Sequence, residues 1–237
     1  SLNTPSVWRN ARTAAAKVDA LYDDAKLSLW AELTPEFAAT IPDVLPVQTL
    51  SRDRNDYIAH PPSGETLSPA SQAALESLRA SWGANLPKGQ IVISDGLNAK
   101  AIMDEGHLAP YLEEMRRLLG EAGVPLSEKN ILVTSGRVRA GYRIGETLFA
   151  DADPNSFCGI LHVIGERPGT MHHAYSVYIT VAKGKVWAEK GVDHDITKLV
   201  SNVADTALPP KEAARETLTI IREVVGKNVA GSRRVAA

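Results

Sequence analysis

Three short polar stretches carry the residue types that could do chemistry. Gly165-Glu166-Arg167-Pro168-Gly169 sets a carboxylate beside a guanidinium, with a proline and two glycines fixing the turn that aims them. Its plainer reading is an ion pair between either charge and a neighbour. Ser135-Gly136-Arg137-Val138-Arg139-Ala140-Gly141-Tyr142 places two arginines between glycines, a pattern that meets a phosphate or a carboxylate, or else forms a solvated loop. Ser94-Asp95-Gly96-Leu97-Asn98 offers a carboxylate and an amide beside a helix start, where either residue also serves as a simple N-cap. Each stretch follows a short apolar run. In a parallel sheet the C-terminal strand ends share one edge, so the three turns converge there on a ligand site.

Other chemistries lack their residues. No G-x-G-x-x-G follows a strand, and neither a phosphate-binding G-x-x-x-x-G-K-[ST] nor a G-x-S-x-G nucleophile elbow occurs. His172-His173, with His162 and His194, supply metal-type donors. Adjacent strand residues point to opposite faces, however, and no cysteine or acidic partner sits at ligand spacing, so no metal site is expected. Residue chemistry alone thus gives a polar binding edge without a self-contained catalytic set.

The elements that must hold this edge follow from periodicity. The apolar runs Gln90–Ser94, Asn130–Thr134 and Gly159–Ile164 read as strands, and Tyr175–Ala182 as a fourth, alternating one. Between them lie helices over Leu97–Asp104, Pro110–Ala122 and Gly141–Ala150. Ser68-Pro69 opens a helix that runs to about Trp82, and Leu208-Pro209-Pro210 precedes a last helix ending near Val225. Trp8, Ala11, Ala15, Val18, Leu21, Tyr22, Ala25 and Leu29 recur at helical spacing, which predicts one long amphipathic helix over 7–33. That helix packs on its own domain or on a partner. Residues 34–68 hold Pro35, Pro42, Pro46, Pro61 and Pro62 without clean periodicity and read as an ordered but irregular connection, a candidate domain boundary. The expected organisation is a helical or irregular N-terminal extension over 1–68, an α/β domain over 69–227 and a frayed tail over 228–237. The fold class is α/β, a mainly parallel, Rossmann-like sheet with helices on both faces.

Composition narrows the setting. A net charge of −2 gives no electrostatic case for nucleic acid or an anionic membrane. Apolar runs are too short to span a bilayer, and no basic-then-apolar signal pattern opens the sequence. The single cysteine, Cys158, excludes an internal disulfide and fits a reducing compartment. A soluble cytoplasmic protein is the expectation.

The strand-end motifs resemble one known family, the small (light) subunit of adenosylcobalamin-dependent ethanolamine ammonia-lyase. Ile91-Val92-Ile93-Ser94-Asp95-Gly96-Leu97-Asn98-Ala99 is similar to that family's I-V-I-A-D-G-L-S-A. Gly136-Arg137-Val138, with Gly141, Ile144, Gly145 and Glu146, resembles its G-R-V-A-x-G-D-x-I-G-E. Gly165-Glu166-Arg167-Pro168-Gly169 is its G-E-R-P-G unchanged. Ser201-Asn202 resembles part of C-I-S-N-I, and Leu208-Pro209-Pro210 with Glu212-Ala213-Ala214 the start of the final helix. Upstream, Asp53-Arg54, Tyr57-Ile58, Pro61 and Gly64 resemble a D-R-x-x-Y-L-x-R-P-D-L-G-R segment, so the likeness spans about 51–226.

The resemblance implies a subunit that is active only with a TIM-barrel large subunit, which holds the amino-alcohol substrate. Adenosylcobalamin would lie at the interface, contacted from this side by Arg137 and Val138 of G-R-V and by Glu166 of G-E-R-P-G. The reaction implied is radical deamination of ethanolamine to acetaldehyde and ammonia. The family association also carries a cytoplasmic location, or a bacterial microcompartment within it. Departures are specific. Leu199 stands where the family's C-I-S-N-I begins with a cobalamin-contacting cysteine, and would pack on the cofactor in its place; Tyr142 stands where the family has an aspartate. The loop before Phe157 is longer, Met171-His172-His173 replaces a small, serine-rich stretch, and the family's A-R-I-x-L-G-R-A-G is not evident in residues 1–50. A diverged, non-catalytic binding or assembly protein of the same fold is the alternative.

Overall fold

The computed structural model describes the backbone of residues 5–169 and 173–235 and the side chains of 14–169 and 173–226. The long N-terminal helix is α1 (Pro5–Trp30); Trp8 and Ala11 of its expected stripe lie outside the described side chains. Its last turns dock on the main body. Asp24 accepts from Lys100 Nζ at 2.9 Å, and the Leu29 carbonyl accepts from Arg54 Nε at 2.8 Å. Val18, Leu21 and Tyr22 stay exposed.

Residues 34–68 are ordered, as expected, but more regular than the prolines imply. They form α2 (Pro35–Ala38), strand β1 (Val44–Gln48), α3 (Arg54–Ala59) and a 3₁₀ turn at Pro61–Gly64. β1 is an edge strand of the sheet, the one place where Pro46 and its missing N–H are tolerated within a strand. α4 (Pro69–Ser81) starts as expected, with Ser68 Oγ accepting the Ser71 N–H and Pro69 in the first turn. Then follow β2 (Gly89–Ser94), α5 (Ala99–Met103), α6 (Leu108–Glu121), β3 (Asn130–Thr134), α7 (Val138–Leu148) and β4 (Phe157–Gly165). β5 (Tyr175–Lys183), α8 (Gly184–Ala188), a 3₁₀ turn at His194–Ile196, β6 (Lys198–Val203) and α9 (Pro210–Val235) complete the order. β6 is a strand that periodicity did not reveal, and α9 runs past the expected end near Val225.

The sheet order is β1-β3-β2-β4-β5-β6. The first four strands in that order are parallel, β5 is antiparallel to β4, and β6 is antiparallel to β5. The α/β, mainly parallel reading therefore holds. One face packs α5, α6 and α9 over Ile91, Ile93, Val163 and Val177, and the other packs α4, α7 and α8 over Val92, Ile131, Val133 and Ile160. Right-handed crossovers account for the split: the chain leaves β2 towards α5 and α6 but leaves the adjacent β3 towards α7. Their loops diverge at the C-terminal edge, which is where such sheets open a ligand crevice. Among the described residues no helix is long and apolar enough to cross a membrane.

Candidate functional site

The crevice between the β2 and β3 loops is floored by an ion pair. Asp95 is fully buried, and its Oδ1 and Oδ2 accept the N–H groups of Gly136 (3.1 Å) and Ser135 (3.2 Å). Arg54 Nη1 donates to Asp95 Oδ2 at 3.3 Å and to the Gly96 carbonyl at 2.9 Å. The carboxyl is nevertheless pushed up to about 6, because desolvation outweighs Arg54 and the backbone donors. Asp95 is thus neither a helix cap nor an exposed ligand; Asn98 does the capping of α5, accepting from the Ala101 N–H at 3.2 Å. Asp95 instead ties the two diverging loops together. It also helps to hold Ser135 at φ +54°, an unusual backbone for a serine, with Thr49 Oγ1 donating to the Ser135 carbonyl at 2.9 Å.

Tyr57 of α3 stands over this floor. The Arg54 and Arg137 guanidiniums lie 4.7 and 4.6 Å from its ring centroid, and its hydroxyl donates to the Gly136 carbonyl at 3.1 Å. Arg137 Nη2 donates to the Tyr57 carbonyl at 2.7 Å, while its buried Nε has no partner. Gly64 is needed here, because a Cβ would stand 2.7 Å from the Tyr57 ring and 3.1 Å from Arg137 Cγ. The Asp53–Gly64 segment therefore belongs to the site: it shapes the seat of Arg137.

Arg137, Val138 and Glu166 line one depression of about 140 Å³, together with Tyr57, Arg167 and Tyr178. The loop after β4 reaches it through close backbone packing. The Gly165 carbonyl accepts the Leu97 N–H at 3.0 Å, and a Cβ on either Gly96 or Gly165 would collide with the other loop. Gly96 also has φ +54°, which glycine adopts without strain. Among the described residues Glu166 makes no ion pair; it accepts from the Tyr178 hydroxyl at 3.2 Å. Leu199 is 45% exposed and is the cross-strand partner of Tyr178, so it extends the depression sideways along β6 rather than lining it.

The remaining candidates lie elsewhere. Arg139 turns away to Glu65 and Asp193, each at 3.3 Å. His162 is buried beneath α7, with Nε2 2.8 Å from Ser94 Oγ, and desolvation pushes it down to about 4. Tyr142, the departure from the family's aspartate, is buried against the 3₁₀ turn, its hydroxyl 2.6 Å from His194 Nδ1 and accepting from Thr197 Oγ1 at 3.0 Å. His173 sits between Asp104 (2.6 Å) and Asp24 (2.8 Å), and Met171 and His172 lie outside the described residues. Residue-by-residue reading missed Tyr178 and the structural weight of Arg54 and Tyr57. The latter two had a signal in the Asp53-Arg54…Tyr57 motif.

Fold and site together define an α/β protein with a prearranged but shallow polar depression at the switch point of its sheet. Residues 1–233, nearly the whole chain, match the family model described as ethanolamine ammonia-lyase light chain (EutC). The chain belongs to that family, a lyase family of ethanolamine breakdown in which a light chain implies a large-subunit partner. The match takes in residues 1–50, where the quoted motifs are not evident.

Proposed function

We propose that the chain clasps adenosylcobalamin at the interface with a TIM-barrel large subunit, in the radical deamination of ethanolamine to acetaldehyde and ammonia. The observation that carries this reading is the convergence of Arg137, Val138 and Glu166 on one depression at the switch point, with Leu199 beside it. The donor set fits the rim of a corrinoid. Glu166 is an acceptor for carboxamide N–H groups, Arg137 brings a guanidinium to the lining, and Val138, with the exposed Leu199 beside it, offers apolar contact to methyl-rich edges. The volume fits as well. A depression of about 140 Å³ cannot enclose so large a ligand, so the opposite face falls to the partner. When bound, the cofactor supplies radical chemistry through its cobalt–carbon bond.

The chain's own part is to bind, orient and cover. Asp95 and Tyr57 hold the Ser135–Arg137 turn before any ligand arrives, so little ordering remains to oppose binding. Closure against the partner would exclude water from the reacting centre. Tyr142 is bonded to His194 behind the depression, so its departure from the family motif leaves the contact residues in place.

The test is co-expression with a large-subunit candidate from the same genome, purification on a tag carried by this chain, and addition of adenosylcobalamin and ethanolamine. Acetaldehyde and ammonia should form only when cofactor and both chains are present. A stable complex that neither binds cobalamin nor turns over would assign the chain to an assembly role instead.

A further inference from the structure

Glu166, in the loop after β4, lines the depression, Leu199 of β6 lies beside it, and one side chain stands between the two. Tyr178 of β5 donates its hydroxyl to Glu166 Oε1 at 3.2 Å and lines the same depression. Across the ladder it pairs with Leu199, and opposed residues of an antiparallel pair project to the same face. Burial, followed by the Glu166 charge, pushes the phenol up to about 12, so the hydroxyl stays protonated and remains a donor at any working pH. A glutamate at a surface rim would otherwise sample several rotamers and lose that freedom on binding.

We propose that Tyr178 is a positioning residue of the cofactor-contacting edge: it fixes one carboxylate oxygen of Glu166 so that the other is presented to a primary carboxamide on the ligand's rim. Its ring and the Leu199 side chain form the apolar rest beside that contact. Neither strand motif contains Tyr178, and its role follows from the hydrogen bond and the β5–β6 register alone. The proposal rests on the reading of Glu166 as a cofactor contact.

The experiment measures retention of cyanocobalamin by equilibrium dialysis on the assembled light and large subunits. The chains compared are wild type, Tyr178→Phe, Glu166→Gln and the double variant. Tyr178→Phe keeps the ring, so the thermal midpoint of the complex should not move. Its dissociation constant should rise roughly three- to tenfold, the range of one hydrogen bond. Glu166→Gln should weaken retention at least as much, and the double variant should match Glu166→Gln within about twofold, because Tyr178 acts through that carboxylate. Normal binding by Tyr178→Phe beside weakened binding by Glu166→Gln overturns the proposal. So does a double variant whose loss is the product of the two single losses. Unchanged binding by Glu166→Gln itself removes Glu166 from the cofactor site, and the role of Tyr178 falls with it.

Discussion

Two buried titratable groups sit side by side beneath the site and pull stability in opposite directions. Burial raises Asp95 to about 6, so the folded carboxyl keeps a proton that the unfolded one has already released. Its contribution is full below the unfolded value near 3.8 and is lost as pH rises through about 6. Burial lowers His162 to about 4, so its contribution is present above the ordinary imidazole value of 6.5 and is lost as pH falls through about 4. The two slopes oppose each other over one window, and the unfolding free energy of the wild type should be nearly flat there. Asp95→Asn should uncover the histidine slope, with stability falling as pH is lowered across that window. His162→Gln should uncover the carboxyl slope, with stability rising over the same interval. Urea unfolding at steps from about pH 4 to 6.5 reads both, and parallel slopes in the two variants would refute the assignment. Arg54→Met strands the Asp95 carboxylate and should cost about 3 kcal/mol or more at neutral pH. The loss should shrink in mild acid, where Asp95 takes up its proton.

At the scale of elements, α7 delivers Arg137 and Val138, and its distance from the sheet is set by glycines one turn apart. A Cβ at Gly141 would stand 2.5 Å from His162 Nδ1, and one at Gly145 would overlap the buried Trp187 ring. Gly145→Ala should therefore destabilise by roughly 1–3 kcal/mol through overpacking, although alanine gains about 1 kcal/mol of helix propensity. Gly120→Ala in α6 meets nothing within 4 Å and should stabilise by roughly 0.5–1 kcal/mol. Urea midpoints that moved in the same direction for both variants would show that space against the sheet does not decide the outcome. The same elements show what the sequence made legible. α4, α6 and the central strands were readable because burial imposes periodicity, and at α4 a capping serine followed by proline marks the start. β1 escaped because Pro46 argues against a strand everywhere except at an edge. β6 escaped because Asn202 at φ +60° and a register shift opposite Tyr175/Val177 break its alternation. That Arg137, Val138 and Glu166 come together in one depression was legible because strand ends share an edge of the sheet. Tyr178 was not, because its meaning comes from a hydrogen bond and a cross-strand neighbour that exist only after the sheet forms.

At the scale of the molecule, the proposed function makes the site one half of a larger one. Its floor is tied together within the isolated chain: Asp95, Arg54 and Tyr57 bond the loops to one another without help from outside. Its upper side is open, and a depression of about 140 Å³ is too small to enclose a corrinoid. A preformed half-site keeps the order of its contacts but lacks the area that would bury the ligand's other face. We therefore expect the isolated chain to bind cyanocobalamin at least roughly a hundredfold more weakly than the assembled complex, equivalent to about 2.7 kcal/mol left to the partner. Equilibrium dialysis of the chain alone, and again with the large subunit, measures the difference. The Asp95 loops are already tied, so the weak binding should not be accompanied by ordering of the Ser135–Arg137 turn, and amide exchange there should be equally slow with and without ligand. Equal affinities for chain and complex would place the whole site in this subunit. Slow exchange that appeared only on assembly would mean that the partner, rather than the buried Asp95–Arg54 pair, organises the edge.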